Sequence, residues 1–216
     1  MKRWENKFKI LSDMDKAKLI IFSAPSGAGK SSLIKQLIEM SESPIELSIS
    51  ATTRNPRDGE IHGKDYFFIS DEEFNSLNDQ DAFLESANVH GFKYATLRSF
   101  VEEKINLGIS VILDIDVQGY KQIIETSQKF TSIFILPPSF KELEQRLLSR
   151  GLDSKDVISK RLSNAIIELE SANLFDFVVL NDDFDKTIEV LSSILFDKGF
   201  KYNNDHANEI LRELLD

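Results

Sequence analysis

Leu19-Ile20-Ile21-Phe22-Ser23-Ala24-Pro25-Ser26-Gly27-Ala28-Gly29-Lys30-Ser31-Ser32 runs from an unbroken apolar stretch into a glycine-rich turn. A periodic segment with Leu33, Ile34, Leu37 and Ile38 follows it. This order predicts strand, tight loop and helix. Residues 24–31 match the phosphate-loop pattern G-x-x-x-x-G-K-[ST], with Ala24 in place of the first glycine. Alanine fits there if its φ is negative. Gly27 and Gly29 let the backbone aim several N–H groups at one anion. The helix start adds its positive dipole end. Lys30 supplies a mobile charge for outer phosphates, and the Ser31 hydroxyl is placed to reach a magnesium ion. The bland alternative, a turn that binds nothing, fits poorly with a strand before the loop and a helix after it.

Outward from this loop, apolar runs alternate with helical periodicity. Strands are expected at 18–23, 45–49, 66–69, 83–87, 92–95, 111–114, 132–136 and 177–180. Helices are expected from the loop to about Met40, from the capping box at 70–73, and over 99–107 and 117–126. Others follow from the capping box at 139–142 to Arg150, over 155–172 and 186–196, and in the tail over 207–215. Continuous apolar strands joined by helices predict a parallel sheet covered on both faces. Ligands in such sheets sit at the carboxyl ends of strands, where the glycine loop, Asp114, Asp116 and Asn181 all fall. Residues 1–17 read as a polar N-terminal arm. Residues 18–44 and 97–197 read as the core, with a helical hairpin at about 140–170. Residues 45–96 read as a small, mostly β insertion, and 198–216 as a tail.

The 216 residues suit one compact domain with a small insertion, and 41% hydrophobic content is enough for a real core. Cysteine is absent, which excludes disulfides and thiolate metal sites and suits a reducing cytoplasm. No signal peptide or membrane span is expected. The formal charge of −10 argues against nucleic acid as a partner. An acidic chain that binds a nucleotide must gather its cations locally, so the positions of the arginines are informative.

Arg54 and Arg57 bracket Pro56 in the polar loop 50–60, and paired guanidinium forks suit a phosphate. Arg146 and Arg150, four apart on one predicted helix, share a face, with Arg161 on the next helix. They either fold over a triphosphate or form a solvated face with ion pairs to Glu142 or Asp156. Asp114 and Asp116 end a buried strand, either to hold magnesium through water or as turn chemistry. Asp116-Val117-Gln118-Gly119 fits the D-x-x-G pattern of GTP switches, but no N-K-x-D motif accompanies it. Glu85 lies in an otherwise apolar strand. A carboxylate there can accept from guanine N1–H and the 2-amino group, donors that adenine lacks; the alternative is an edge-strand acid. Tyr66 and Tyr94 are either core residues or hydroxyl donors. His62, His90 and His206 adjoin no ligand set.

Taken together, these motifs resemble the guanylate kinase family from about Lys18 to Phe196. The resemblance is carried by residues 23–32, 50–60, 63–68, 83–85, 112–119, 136–139 and 181–183. It implies a three-layer α/β sandwich with a phosphate-loop core, a GMP-binding insertion at 45–96 and a helical lid. It implies ATP-dependent phosphoryl transfer to GMP, and to dGMP, within purine nucleotide metabolism, with Mg2+ as cofactor. ATP would be bound by Ala24, Pro25, Ser26, Gly27, Ala28, Gly29, Lys30, Ser31, Ser32 and Asn181. GMP would be bound by Ser50, Arg54, Arg57, Tyr66, Glu85, Tyr94, Thr96 and Asp116. Lys30, Arg146, Arg150 and Arg161 would be the catalytic cations, and Ser31 and Asp114 the magnesium donors, Asp114 through water. Ala95 departs from the family's usual glycine, which bears on Tyr94 and Thr96. A non-catalytic binding module and a kinase of another small acceptor are the rival readings. Lys30 and the lid arginines oppose the first, and Glu85 and the tyrosines oppose the second. Partners are expected to be the two nucleotides, without nucleic acid or membrane.

Overall fold

The structure, a computed structural model, describes residues 17–89, 91–126, 129–149, 155–197 and 199–216. In chain order, β1 (Leu19–Ser23) leads through the glycine loop to α1 (Lys30–Met40), then β2 (Ile45–Leu47), β3 (Ser50–Thr52) and β4 (Phe67–Phe68). Next come α2 (Asp71–Asp79), β5 (Phe83–Val89), β6 (Phe92–Leu97), α3 (Arg98–Asn106), β7 (Ser110–Asp114) and α4 (Val117–Ile123). The chain continues with β8 (Phe130–Leu136), α5 (Phe140–Ser149), α6 (Lys155–Glu170), β9 (Phe177–Leu180), α7 (Phe184–Phe196) and α8 (Asp205–Leu215). At the two expected capping boxes the serine caps form, with Ser70 Oγ accepting from Glu73 N at 3.1 Å and Ser139 Oγ from Glu142 N at 3.1 Å. Helix α7 begins two residues before the expected Lys186 because Asp183 caps it, accepting from Lys186 N at 3.1 Å.

The chain divides into two compact units, Met1–Ile21 with Glu42–Thr131 and Phe22–Ser41 with Ser132–Asp216. The parallel sheet has the strand order β2-β7-β1-β8-β9. In the first unit β2 runs parallel to β7, with Ile45 opposite Ser110 and Leu47 opposite Ile112. Ile45–Leu47, expected within the small insertion, therefore belongs to the parallel sheet. The small sheet starts at Ser50 and has the order β4-β3-β6-β5. Its apolar face carries Ala51, Phe83 and Ala95, packed on Phe74 of α2.

In the second unit β8 and β9 pair in parallel, from Ile133 opposite Phe177 to Leu136 opposite Leu180. Ile133, Phe134, Ile135 and Leu136 are fully buried, as a central strand covered on both faces requires. Leu33, Ile34 and Leu37 of α1 and Ile188, Leu191 and Leu195 of α7 are buried on helices that pack together. The tail is docked. Asn204 Oδ1 accepts from Val178 N at 3.1 Å, the Tyr202 hydroxyl donates to Val178 O at 3.1 Å, and α8 buries Ala207 and Leu211. These contacts cover the edge strand β9. Among the described residues, no helix is long and apolar enough to cross a membrane.

Candidate active site

The glycine loop lies in the second unit. Gly27 and Gly29 take φ of 98° and 96°, in the left-handed region that favours glycine. At Gly29 a side chain is excluded twice, since an added Cβ would also stand 2.6 Å from Asn181 Nδ2. Asn181 is buried, and Nδ2 donates to Ala28 O at 2.7 Å, so the residue that follows β9 braces the loop through its side-chain amide. Arg146 of α5 reaches the same place. Its Nη1 lies 3.4 Å from Ala28 O and its Nη2 3.4 Å from Asn181 O, while Nε donates to Glu142 at 3.0 Å. Arg146 thus makes both the expected ion pair and a contact with the loop. A cleft of about 380 Å³ opens here, lined in part by Gly27, Gly29, Ser32, Arg146, Asn181 and Phe184. Lys30 is half-buried at the start of α1 and Ser31 is exposed beside it. Ala24 has no positive φ, so alanine is accommodated at the first position of the motif.

In the first unit, strand register builds a polar row. Ser50 of β3 stands opposite Thr96 of β6, which stands opposite Glu85 of β5. Side chains two apart on a strand share a face, so Glu85 would by simple alternation lie on the apolar face with Phe83. A register shift between Phe83 and Glu85 prevents this, pairing Phe83 with Leu97 but Glu85 with Thr96. The extra residue, Leu84, turns Glu85 onto the opposite face. Glu85 is 6% exposed, and the Thr96 hydroxyl donates to its Oε1 at 2.6 Å. Burial pushes the carboxyl up to about 7; the Asp116 charge adds to the rise and the Thr96 hydrogen bond opposes it. Asp116 caps α4, accepting from Gln118 N at 3.0 Å and Gly119 N at 2.9 Å. Ala95 points to the apolar side without a positive φ, so it leaves Tyr94 and Thr96 on the polar face.

Two residues along β6 from Thr96, about 7 Å away, Tyr94 is opposite Thr52 and meets Tyr66 at a ring separation of 6.0 Å. The Arg54 guanidinium lies over the Tyr66 and Phe68 rings, at 5.3 and 5.7 Å. Glu60 grips Arg54 with both oxygens, Nη1 donating to Oε2 at 2.9 Å and Nη2 to Oε1 at 2.8 Å. It also accepts from Arg57 N at 2.7 Å. This carboxylate holds Arg54 charged, and the guanidinium in turn lowers the Glu60 pKa. Arg54 Nε is buried without a hydrogen-bond partner. Desolvation raises the Tyr66 hydroxyl pKa.

The first unit therefore brings together Ser50, Thr96 and Glu85 in one row, Asp116 close enough to act on Glu85, and Arg54 with Tyr66 and Tyr94. Arg57 is exposed on the same loop, and Asp114 is half-buried at the end of β7. The second unit brings together the glycine loop, Asn181 and Arg146. Arg161 is half-buried on α6. Arg150 lies outside the described residues, as does His90. Sequence reasoning missed Glu60 as the partner of Arg54, although an acid three residues after Arg57 in a turn-rich loop was a usable signal. It also missed the bulge at Leu84, for which no local signal exists.

Residues 16–198 match the family model described as guanylate kinase. A guanylate kinase of Shewanella denitrificans is 47% identical over 201 residues, covering 90% of this chain and 97% of the relative. One of Haemophilus influenzae is 51% identical over 184 residues, covering 84% and 88%. The crystal structure of guanylate kinase from Anaplasma phagocytophilum superposes with a TM-score of 0.67 at 33% identity, covering 86% of this chain and 87% of that one.

Proposed function

The chain belongs to the guanylate kinase family and is an enzyme, and from that premise we propose that it transfers the γ-phosphoryl group of ATP to GMP, giving ADP and GDP. The observation that carries the reading is the buried Glu85 in the row Ser50-Thr96-Glu85, with Tyr94 about 7 Å along the strand and Tyr66 and then Arg54 packed in sequence beside it. A carboxylate there accepts from guanine N1–H and the 2-amino group. Adenine would leave it buried with the Thr96 hydroxyl but no purine donor. The arginine and the two tyrosine hydroxyls suit the monophosphate, and Arg54 Nε is a buried donor that the protein itself leaves without a hydrogen bond. Ser50 and Asp116 complete the purine side, and Arg57 adds charge to the phosphate side.

ATP is assigned to residues 24–32, with Asn181 and Arg146 bracing and charging the loop. The acceptor phosphate has a second pKa near 6 and is already ionised at neutral pH, so no general base is needed. Catalysis is then positioning plus charge neutralisation. Lys30, Arg146, Arg150 and Arg161 are the cations assigned to the transferring group. Ser31 and Asp114 offer the hard oxygen donors that Mg2+ takes one or two at a time, alongside phosphate oxygens and water. When bound, the ion neutralises phosphate charge. The cysteine-free composition supports a cytoplasmic setting. A coupled assay for ADP, offering ATP with GMP, dGMP, AMP, CMP or UMP, tests the proposal. Turnover with GMP and dGMP is expected. Preference for AMP, or no ADP with any acceptor, overturns it.

A further inference from the structure

Glycine is a poor helix residue, costing about 0.5–1 kcal/mol against alanine, yet Gly119 lies in the first turn of α4. It has no positive φ and takes no part in a tight turn. Its neighbour supplies the reason. A Cβ built on Gly119 would overlap Glu85 Oε2 and come within 3.0 Å of Glu85 Cδ. Gly119 is buried, and so is Glu85. The other oxygen, Oε1, is fixed by the Thr96 hydroxyl at 2.6 Å. Helix α4 is held against β5 by a second contact. The Gln122 side-chain amide accepts from Ser86 N at 3.0 Å and donates to Ser86 O at 2.6 Å, pairing with the free edge of β5 at the residue after Glu85.

We propose that Gly119 is a positioning residue for base specificity: by lacking a side chain it lets α4 close on β5 and sets the plane in which the Glu85 carboxylate meets the substrate purine. The bulge at Leu84 turns Glu85 to the polar face, Thr96 holds one oxygen, and the bare backbone of α4 limits where the other can swing. Each oxygen keeps a lone pair for a purine donor. The inference rests on the assignment of Glu85 to guanine.

The test compares GMP with IMP, which keeps N1–H but lacks the 2-amino group, using the full-length chain with Gly119→Ala, Glu85→Ala and both changes together. Gly119→Ala is expected to cut the preference for GMP over IMP in kcat/KM about tenfold, the worth of one hydrogen bond to a charged group, and to leave the KM for ATP unchanged. Where Glu85 is already alanine, the added methyl meets no carboxylate and is expected to change nothing. A merely structural glycine gives the opposite pattern: Gly119→Ala raises helix stability and leaves the preference intact, which overturns the proposal. An equal loss in the Glu85→Ala background overturns it too. Should Gly119→Ala not fold, recovery of folding in the double variant supports the clash with Glu85, and failure there overturns it. If Glu85→Ala alone keeps the full preference for GMP, the purine assignment itself falls and takes the inference with it; loss of preference in Glu85→Ala but not in Gly119→Ala isolates the failure to Gly119.

Discussion

GMP binding should weaken about tenfold between pH 8 and pH 6 through Glu85 alone. The free carboxyl titrates at about 7 because it is buried, with Asp116 nearby. Guanine donors require the ionised form, so the bound carboxyl is held below its free value. The ionised fraction of the free protein falls from about nine-tenths at pH 8 to about one-tenth at pH 6, and the observed Kd rises in proportion. GMP itself titrates near pH 6, so the informative quantity is the ratio of wild-type to Glu85→Gln dissociation constants, in which that shared effect cancels. Calorimetric titration of both proteins over this range supplies it. A ratio independent of pH would refute the reasoning. The same shift has a stability sign. A folded pKa of about 7 lies above the ordinary 4.5, so the contribution of Glu85 to stability is complete below 4.5 and is lost as pH rises through 7. The loss is about 3 kcal/mol at most. Without substrate, Glu85→Gln should therefore melt above wild type at pH 8 and lose that advantage at pH 5.

Three further outcomes follow from the geometry. Gly29→Ala combines a left-handed φ, costing about 1–2 kcal/mol, with a collision against Asn181; melting temperature and ATP affinity should fall while GMP affinity, read by calorimetry, holds. Arg54→Lys keeps the charge but loses the two-oxygen grip of Glu60 and the cover of Tyr66 and Phe68; the KM for GMP should rise about tenfold or more with the KM for ATP unchanged. Deleting residues 200–216 uncovers the β9 edge and removes the burial of Ala207 and Leu211; a loss of about 2–4 kcal/mol in urea unfolding and concentration-dependent light scattering are expected.

Much of this was legible because the signals are local. The loop at 24–31 declares itself by residue type, and Ser70, Ser139 and Gly108 set helix ends through bonds to neighbours in sequence. Unbroken apolar runs such as Ile133–Leu136 mark strands buried on both faces. The candidate residues on the small sheet were legible through their motifs, but their arrangement was not. Register is a property of a strand pair, so nothing in Phe83-Leu84-Glu85 alone announces the shift that turns Glu85 away from Phe83. For the same reason nothing within Ile45–Leu47 separates it from the insertion; its membership of the parallel sheet lies in its pairing with Ser110–Ile112. The Arg54-Asn55-Pro56-Arg57 stretch points to a phosphate but not to the carboxylate six residues after Arg54 that grips it. The tail carries no motif, and its purchase on β9 comes from Tyr202 and Asn204, polar side chains whose backbone partners lie more than 20 residues away.

The most direct test of the central claim follows the transferred group. ATP labelled at the γ-phosphorus is incubated with the protein, magnesium and GMP, and the products are separated. The account expects the label in the β-position of GDP, with ADP formed in equal amount, and expects Lys30→Met to remain folded while losing this transfer. Label released as inorganic phosphate without GDP, or transfer undiminished in Lys30→Met, would contradict it.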